Sequence, residues 1–197
     1  MIPTPTLDQA AAASWRPDLT GENSEDLLAF YHAALPTLRP DAAIVEVGVA
    51  WGRSLVYAAE LRAALGHTGR VYGVDAWRGP DAQPAAAASR MTYHAALTSI
   101  TSHSSPLELE RVHLMREDSL DAALRFAFGS LDLVMIDADH SLPAVALDIQ
   151  AWRQRVRPGF WLCGHDYSPN FPDVVRAVDL YLGPGVRVYG TCWFYRT

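Results

Sequence analysis

Ile44-Val45-Glu46-Val47-Gly48-Val49-Ala50-Trp51-Gly52-Arg53-Ser54 is the stretch whose reading decides the fold. Ile44, Val45 and Val47 form a short, β-branched apolar run that fits a buried strand. Glu46 inside that run demands a partner, because an unpaired carboxylate is costly to bury. Gly48 and Gly52 then permit a tight turn and the close approach of a ligand to the main chain. A helix from Arg53 to Leu65 follows, and the N–H groups at its start favour something negatively charged. Glu46, Gly48, Gly52 and Ser54 are therefore candidate cofactor contacts.

Upstream, Leu27, Leu28, Tyr31, Leu35 and Leu38 share one helical face, with Ser24 as cap, Glu25 and Asp26 in the first turn and Pro40 as the stop. Residues 1–23 hold Pro3, Pro5, Trp15, Pro17 and Gly21 and read as an irregular N-terminal arm ahead of a single domain, 24–197. Downstream, strands are expected at Arg70–Val74, Val112–Met115, Leu131–Ile136 and Phe160–Cys163, with a terminal pair at Val186–Val188 and Cys192–Tyr195. Helices fall between them: Ala85–Ile100 within a lid insertion at 77–106, Ser119–Phe128 stopped by Gly129, Leu142–Val156 capped by Ser141 and closed by Pro158 and Gly159, and Pro172–Leu182. Alternating strands and helices predict an α/β, doubly wound Rossmann-like sheet.

The 197 residues are half hydrophobic, enough for one substantial core. A net charge of -6, scattered arginines and the absence of lysine argue against nucleic acid as a partner. No basic, apolar leader begins the chain and no apolar run reaches the ~18 residues of a membrane span, so a soluble, cytoplasmic protein with no membrane partner is expected. Cys163 and Cys192 sit in strand-like apolar runs and read as small core residues.

Asp75, Asp118, Asp137 and Asp166 each stand at or just beyond the end of an expected strand, the edge where doubly wound sheets bind ligands. Asp75 follows the strand next to the glycine turn, about where a carboxylate takes both hydroxyls of an adenosine ribose. Asp118 and Ser119 are placed to meet the adenine edge, although either could instead cap the next helix. A dinucleotide fold usually shows G-x-G-x-x-G, whereas here Glu46-x-Gly48-x-x-x-Gly52 encloses the bulky Trp51; a ligand without phosphates fits better.

From about Ala42 to Asp166 the chain resembles the class I S-adenosylmethionine-dependent methyltransferases, in particular small-molecule O-methyltransferases of the macrocin and catechol types. The resemblance runs through E-V-G-V-A-W-G-R-S, V-Y-G-V-D, E-D-S, L-V-M-I-D-A-D-H-S and R-P-G-F-W-L-C-G-H-D-Y. It implies a seven-stranded sheet with a reversed terminal strand and S-adenosyl-L-methionine as cofactor. It carries the cofactor loop onto Glu46, Gly48 and Gly52, the ribose acid onto Asp75 and the adenine contact onto Asp118.

The sulfonium already activates the methyl group, so the protein must align an acceptor oxygen and remove its proton, with a base or a metal. Asp137, Asp139 and His140 follow the strand expected beside that of Asp166, and their side chains can converge. Hard oxygen donors suit Mg2+, and similar enzymes use an aspartate matching Asp137, itself also a cofactor contact here, with an acidic or Asp-Asn pair around Asp166. This chain has His165 and Tyr167 flanking Asp166, so the third ligand is His165, a water, or absent. The resemblance matches His140 to a general base of some macrolide sugar methyltransferases; the bland alternative is a histidine bonding its own helix turn. His165 otherwise reads as structural, and His32, His67, His94, His103 and His113 as surface or lid residues. A small-molecule acceptor is the expected partner, and the arm leaves room for a homo-oligomer. Two rivals stay open: an NAD(P)-dependent oxidoreductase and a non-catalytic cofactor-binding subunit.

Overall fold

A computed structural model describes residues 25–78, 93–105 and 109–197. The arm at 1–23, the Ser24 cap and most of the lid lie outside the described residues. One sheet holds β1 (Ile44–Val47), β2 (Val71–Val74), β3 (Val112–Met115), β4 (Leu131–Ile136), β5 (Val156–Gly164), β6 (Arg187–Tyr189) and β7 (Cys192–Arg196). The seven strands run in the order β3-β2-β1-β4-β5-β7-β6. Pairing is parallel from β3 to β5, and β7 lies antiparallel to both β5 and β6. The chain builds outward from β1 in opposite directions, which opens a crevice at the carboxyl ends of β1 and β4.

Helices α1 (Glu25–Ala34), α2 (Arg53–Ala64) and α3 (Tyr93–His103) cover one face of the sheet, with α4 (Ser119–Ala123), α5 (Leu142–Arg153) and α6 (Pro172–Leu182) on the other. The alternation along β1 sorts its side chains between these layers. Ile44 packs with α1 and α2, while Val45 and Val47 join the α5 and α6 layer. Glu46 points the same way as Ile44, toward Tyr31 of α1 and Ser54 of α2. The free thiols Cys163 and Cys192 lie buried in the α1 layer as core residues.

Several boundaries differ from expectation; α5, for one, ends at Arg153 and not at Val156. β5 begins at Val156, not Phe160, because a register break between Leu131 and Leu133 absorbs Pro158 and Gly159 as an irregular bulge. α4 ends at Ala123, and turns carry the chain on to Gly129. Only the part of the expected lid helix from Tyr93 onward is described, and it extends to His103. His67 is buried rather than at the surface, at 7 % exposure. Among the described residues no helix is long and apolar enough to cross a membrane.

On the α5 side the core closes around Trp152, which is fully buried and donates Nε1–H to Ser119 Oγ at 2.8 Å. Trp152→Ala should cost about 3–5 kcal/mol in urea denaturation, the range for emptying a large aromatic site; a loss under about 1 kcal/mol would contradict this packing.

Candidate active site

The turn after β1 is fixed by what surrounds it. Gly48 has φ +90°, and a Cβ there would lie 1.9 Å from the Asp137 carbonyl oxygen. Only glycine allows the loop to lie against the end of β4. Gly52, at φ +84°, would place a Cβ 2.5 Å from Ile100 of α3. It also starts α2 without a side-chain cap, leaving backbone N–H groups for another acceptor. Asp75 ties this loop to β2: its Oδ2 accepts Val49 N–H and Ala50 N–H, each at 2.9 Å, and its Oδ1 accepts Trp77 N–H at 2.6 Å. Trp77 closes the ring by donating Nε1–H to the Ala50 carbonyl at 2.9 Å. Ala50 and Trp77 both hold positive φ, 49° and 48°, a strained conformation that the surrounding bonds enforce.

Glu46 is 2 % exposed and finds its partners in two hydroxyls, Tyr31 Oη on Oε2 at 2.8 Å and Ser54 Oγ on Oε1 at 2.7 Å. Burial pushes its carboxyl up to about 8, against the pull of those hydrogen bonds. Asp118 stands at the start of α4 without capping it, and its Oδ2 meets Arg78 Nη2 at 2.7 Å. The two residues border an open depression of about 610 Å3 that Arg116, Asp121, Leu124 and Arg125 also line. Ser119 does not cap either: its hydroxyl donates to Asp148 and accepts from Trp152, turned into the α5 packing.

Beside the glycine loop, the ends of β4 and β5 bring acids and imidazoles together. His140 Nε2 lies 2.9 Å from Asp166 Oδ2 and 3.8 Å from Asp137 Oδ1. His165 Nδ1 sits 3.5 Å from Asp137 Oδ1 and 3.4 Å from Asp166 Oδ1, while its Nε2 is 3.0 Å from Asp26 Oδ1. Asp26 of α1 is the member that sequence reasoning missed. Its Oδ2 accepts Thr191 N–H at 2.7 Å and Thr191 Oγ–H at 2.6 Å, and Gly190 leaves the room, since a Cβ there would come within 2.9 Å of Asp26. Asp139 stays outside the cluster, accepting Ser141 N–H at 2.6 Å at the head of α5. Ser141 itself occupies the cap position without a side-chain cap bond.

The charges in this cluster hold one another. Burial would lower the His165 pKa, but Asp137, Asp166 and Asp26 drive it up to about 12. Asp137 and Asp166 likewise push His140 up to about 9. In return, His140 and His165 overcome burial and hold Asp166 at about 2, and His165 and Thr191 hold Asp26 well below the carboxylate range. Asp166 sits in the left-handed region at φ 59°, so the main chain is bent to deliver this carboxylate.

The sequence family described as "Methyltransferase domain" matches residues 45–167. No curated protein matches the chain in sequence. Among solved structures, CalS11, titled a TDP-rhamnose 3'-O-methyltransferase of calicheamicin biosynthesis, superposes with TM-score 0.65 at 18 % identity over 98 % of this chain and 88 % of its own. An O-methyltransferase from Bacillus cereus in complex with SAH gives 0.59 at 17 % identity over 96 % of this chain and 87 % of its own. The O-methyltransferase NovP gives 0.56 at 14 % over 79 % and 71 %. At these identities the likeness establishes the fold alone.

The sign of the His165 and Asp26 contributions follows from their shifts. A raised imidazole stabilises the fold fully below its unfolded value of about 6.5, and that stabilisation is gone once the pH has risen through about 12. The depressed Asp26 contributes above the ordinary carboxylate value of about 4 and loses its contribution only as the pH falls well beneath it. The His165 ring should therefore keep the 15N shifts of an imidazolium from about pH 5 to 9. Asp26→Ala should lose about 2–3 kcal/mol of stability at pH 6, because charge-assisted hydrogen bonds are broken in a part-buried site. A His165 titration near 6.5 would contradict the clamp.

Proposed function

The chain belongs to the methyltransferase-domain family, and from that premise we propose that it transfers a methyl group from S-adenosylmethionine to a hydroxyl of a small molecule, a sugar or secondary metabolite. The observation that carries this reading is one juxtaposition: a glycine loop locked by Asp75 lies directly against Asp137, whose side chain belongs to the acid and histidine cluster. The loop and the open N–H groups of α2 suit the amino-acid end of the cofactor. Asp75 has its oxygens on backbone amides, and its ability to take the ribose hydroxyls as well rests on the remaining acceptor capacity of a carboxylate. Asp118 and the depression beside it suit the adenine. Ser119 serves that region indirectly, by fixing α4 to α5.

The acceptor would lie over His140. His140 is the more open of the two imidazoles, its side chain 40 % exposed against 9 % for His165, and Phe171 packs against its ring at 4.6 Å. As general base it takes the hydroxyl proton while the acceptor oxygen attacks the methyl carbon in line with the bond to sulfur. Asp166 and Asp137 orient the ring and stabilise the imidazolium that forms.

A divalent cation also fits the residues present. Asp137, His140 and Asp166 each offer an atom within 4.8 Å of the others. Asp137 and Asp166 would hold Mg2+ through oxygen, and the ion when bound would lower the pKa of the acceptor hydroxyl. His165 has both nitrogens facing carboxylates and would act as their counter-charge, leaving the third position to water or His140. The reading extends to a cytoplasmic enzyme and to a homo-oligomer.

Isothermal titration should show binding of S-adenosylmethionine or S-adenosylhomocysteine and none of NAD; tight NAD binding alone would reverse the assignment to an oxidoreductase. With a sugar or catechol acceptor found by mass spectrometry, His140→Ala should cut turnover about a hundredfold or more; unchanged turnover would favour a non-catalytic role for this chain. Without added metal the rate should climb with pH and level off near 9, where His140 becomes neutral.

A further inference from the structure

Glu46 is more than a wall of the cofactor loop. It is a buried carboxyl whose oxygens both meet hydroxyls, those of Tyr31 and Ser54, rather than a guanidinium or an imidazolium. A hydroxyl can donate to a carboxylate or accept from a carboxylic acid, so neither partner fixes the charge of Glu46 as a guanidinium would. The titratable groups facing it are Tyr31 from α1, Asp75 beyond β2 and Asp137 beyond β4, with the Cys163 thiol of β5 acting on Tyr31. Asp75 has its own partners in backbone amides, and Asp137 in the histidines. What surrounds Glu46 is therefore neutral or acidic. That setting favours the protonated form until a cation arrives.

Resting on the S-adenosylmethionine reading given above, we propose that Glu46 is a proton-exchange site linked to cofactor binding: it holds a proton in the free protein and releases it to solvent when the α-ammonium of the cofactor enters the loop, becoming the counter-carboxylate of that cation. The O–H bond of the carboxylic acid breaks, the proton goes to buffer, and no electron transfer or co-reactant is involved. In the carboxylate state Tyr31 and Ser54 both donate, one hydroxyl to each oxygen, so the ionised group is met on both sides. Tyr31, a residue of α1 well before the loop in sequence, thereby becomes a positioning residue for the cofactor.

The consequence is a pH-dependent affinity with a defined window. Glu46 is held up to about 8, so release should approach one proton per site near pH 7 and fade as the pH rises past that value. The test is isothermal titration of the full chain with S-adenosylhomocysteine, which keeps the α-ammonium, in buffers of different ionisation enthalpy at pH 7 and pH 9.5. We expect release of about one proton at pH 7 and none in Glu46→Gln, which keeps both hydroxyl partners; at pH 9.5, where the ligand's own ammonium also titrates, wild type and Glu46→Gln should exchange the same number of protons. Tyr31→Phe removes a donor to the carboxylate and should move the fade to higher pH. Binding whose enthalpy is the same in every buffer at pH 7, or release unchanged in Glu46→Gln, overturns the proposal and leaves the cofactor assignment standing. Failure of S-adenosylhomocysteine and S-adenosylmethionine to bind overturns the assignment and this proposal with it.

Discussion

The candidate site depends on the grip of the Asp75 carboxylate on the backbone of the glycine loop. Three main-chain N–H groups, from Val49, Ala50 and Trp77, converge on its two oxygens. Each would otherwise be an unsatisfied donor at a sheet edge, and together they offset the strained positive φ of Ala50 and Trp77. The Trp77 indole then returns to the Ala50 carbonyl, so the ends of β1 and β2 are joined by a closed circuit of hydrogen bonds. With the loop set in this way, Gly48 can be pressed onto Asp137, and the end of β4 is brought to a fixed distance from the loop. A sheet alone aligns strands; this circuit aligns the two functional halves of the crevice.

Much of this was legible in the sequence because the signals were local. The succession of strands along the chain, the turn glycines after β1 and the acids at strand ends follow from patterns within short windows, whereas the seven-stranded sheet with its reversed last strand is what the family resemblance implies. An acid inside a buried strand signals the need for a partner, but that Tyr31 is the partner of Glu46 depends on how α1 crosses the sheet. Asp26 was hidden for a stronger reason. In the first turn of a helix an acid is fully accounted for by the helix dipole, and nothing local distinguishes one that also reaches Thr191 and His165 across the fold. Ser119 misled in the opposite direction: a serine at a helix start invites a capping role, yet buried Trp152 and Asp148 claim its hydroxyl. The early start of β5 had the same origin, because Pro158 and Gly159 read as a stop until a bulge gives them a place in the strand.

The acids at the two ends of the crevice are stabilised by different chemistry. Glu46 meets hydroxyls and burial pushes its carboxyl up to about 8, whereas Asp166 and Asp26 meet imidazoles that hold them below the usual carboxylate range. A carboxyl among hydroxyls can change its charge at small structural cost; a carboxylate clamped by imidazolium cannot. The division suits the proposed reaction, in which a cationic ligand comes and goes at one end while the geometry at the other must stay fixed through methyl transfer.

The presence of two histidines in one acid cluster follows from the same logic. A lone imidazole beside Asp137 and Asp166 would have to balance both carboxylates, and removing its proton would leave two part-buried like charges facing each other. His165, tethered by Asp26 and nearly sealed from solvent, supplies a positive charge that stays in place. His140 can then lose and regain a proton while the pair beneath it remains partly neutralised. A divalent cation between the two aspartates would meet the same electrostatic need, so the tethered imidazolium and the metal are two physical solutions to one problem: keeping paired carboxylates together at the edge of a sheet while a neighbouring base does its work.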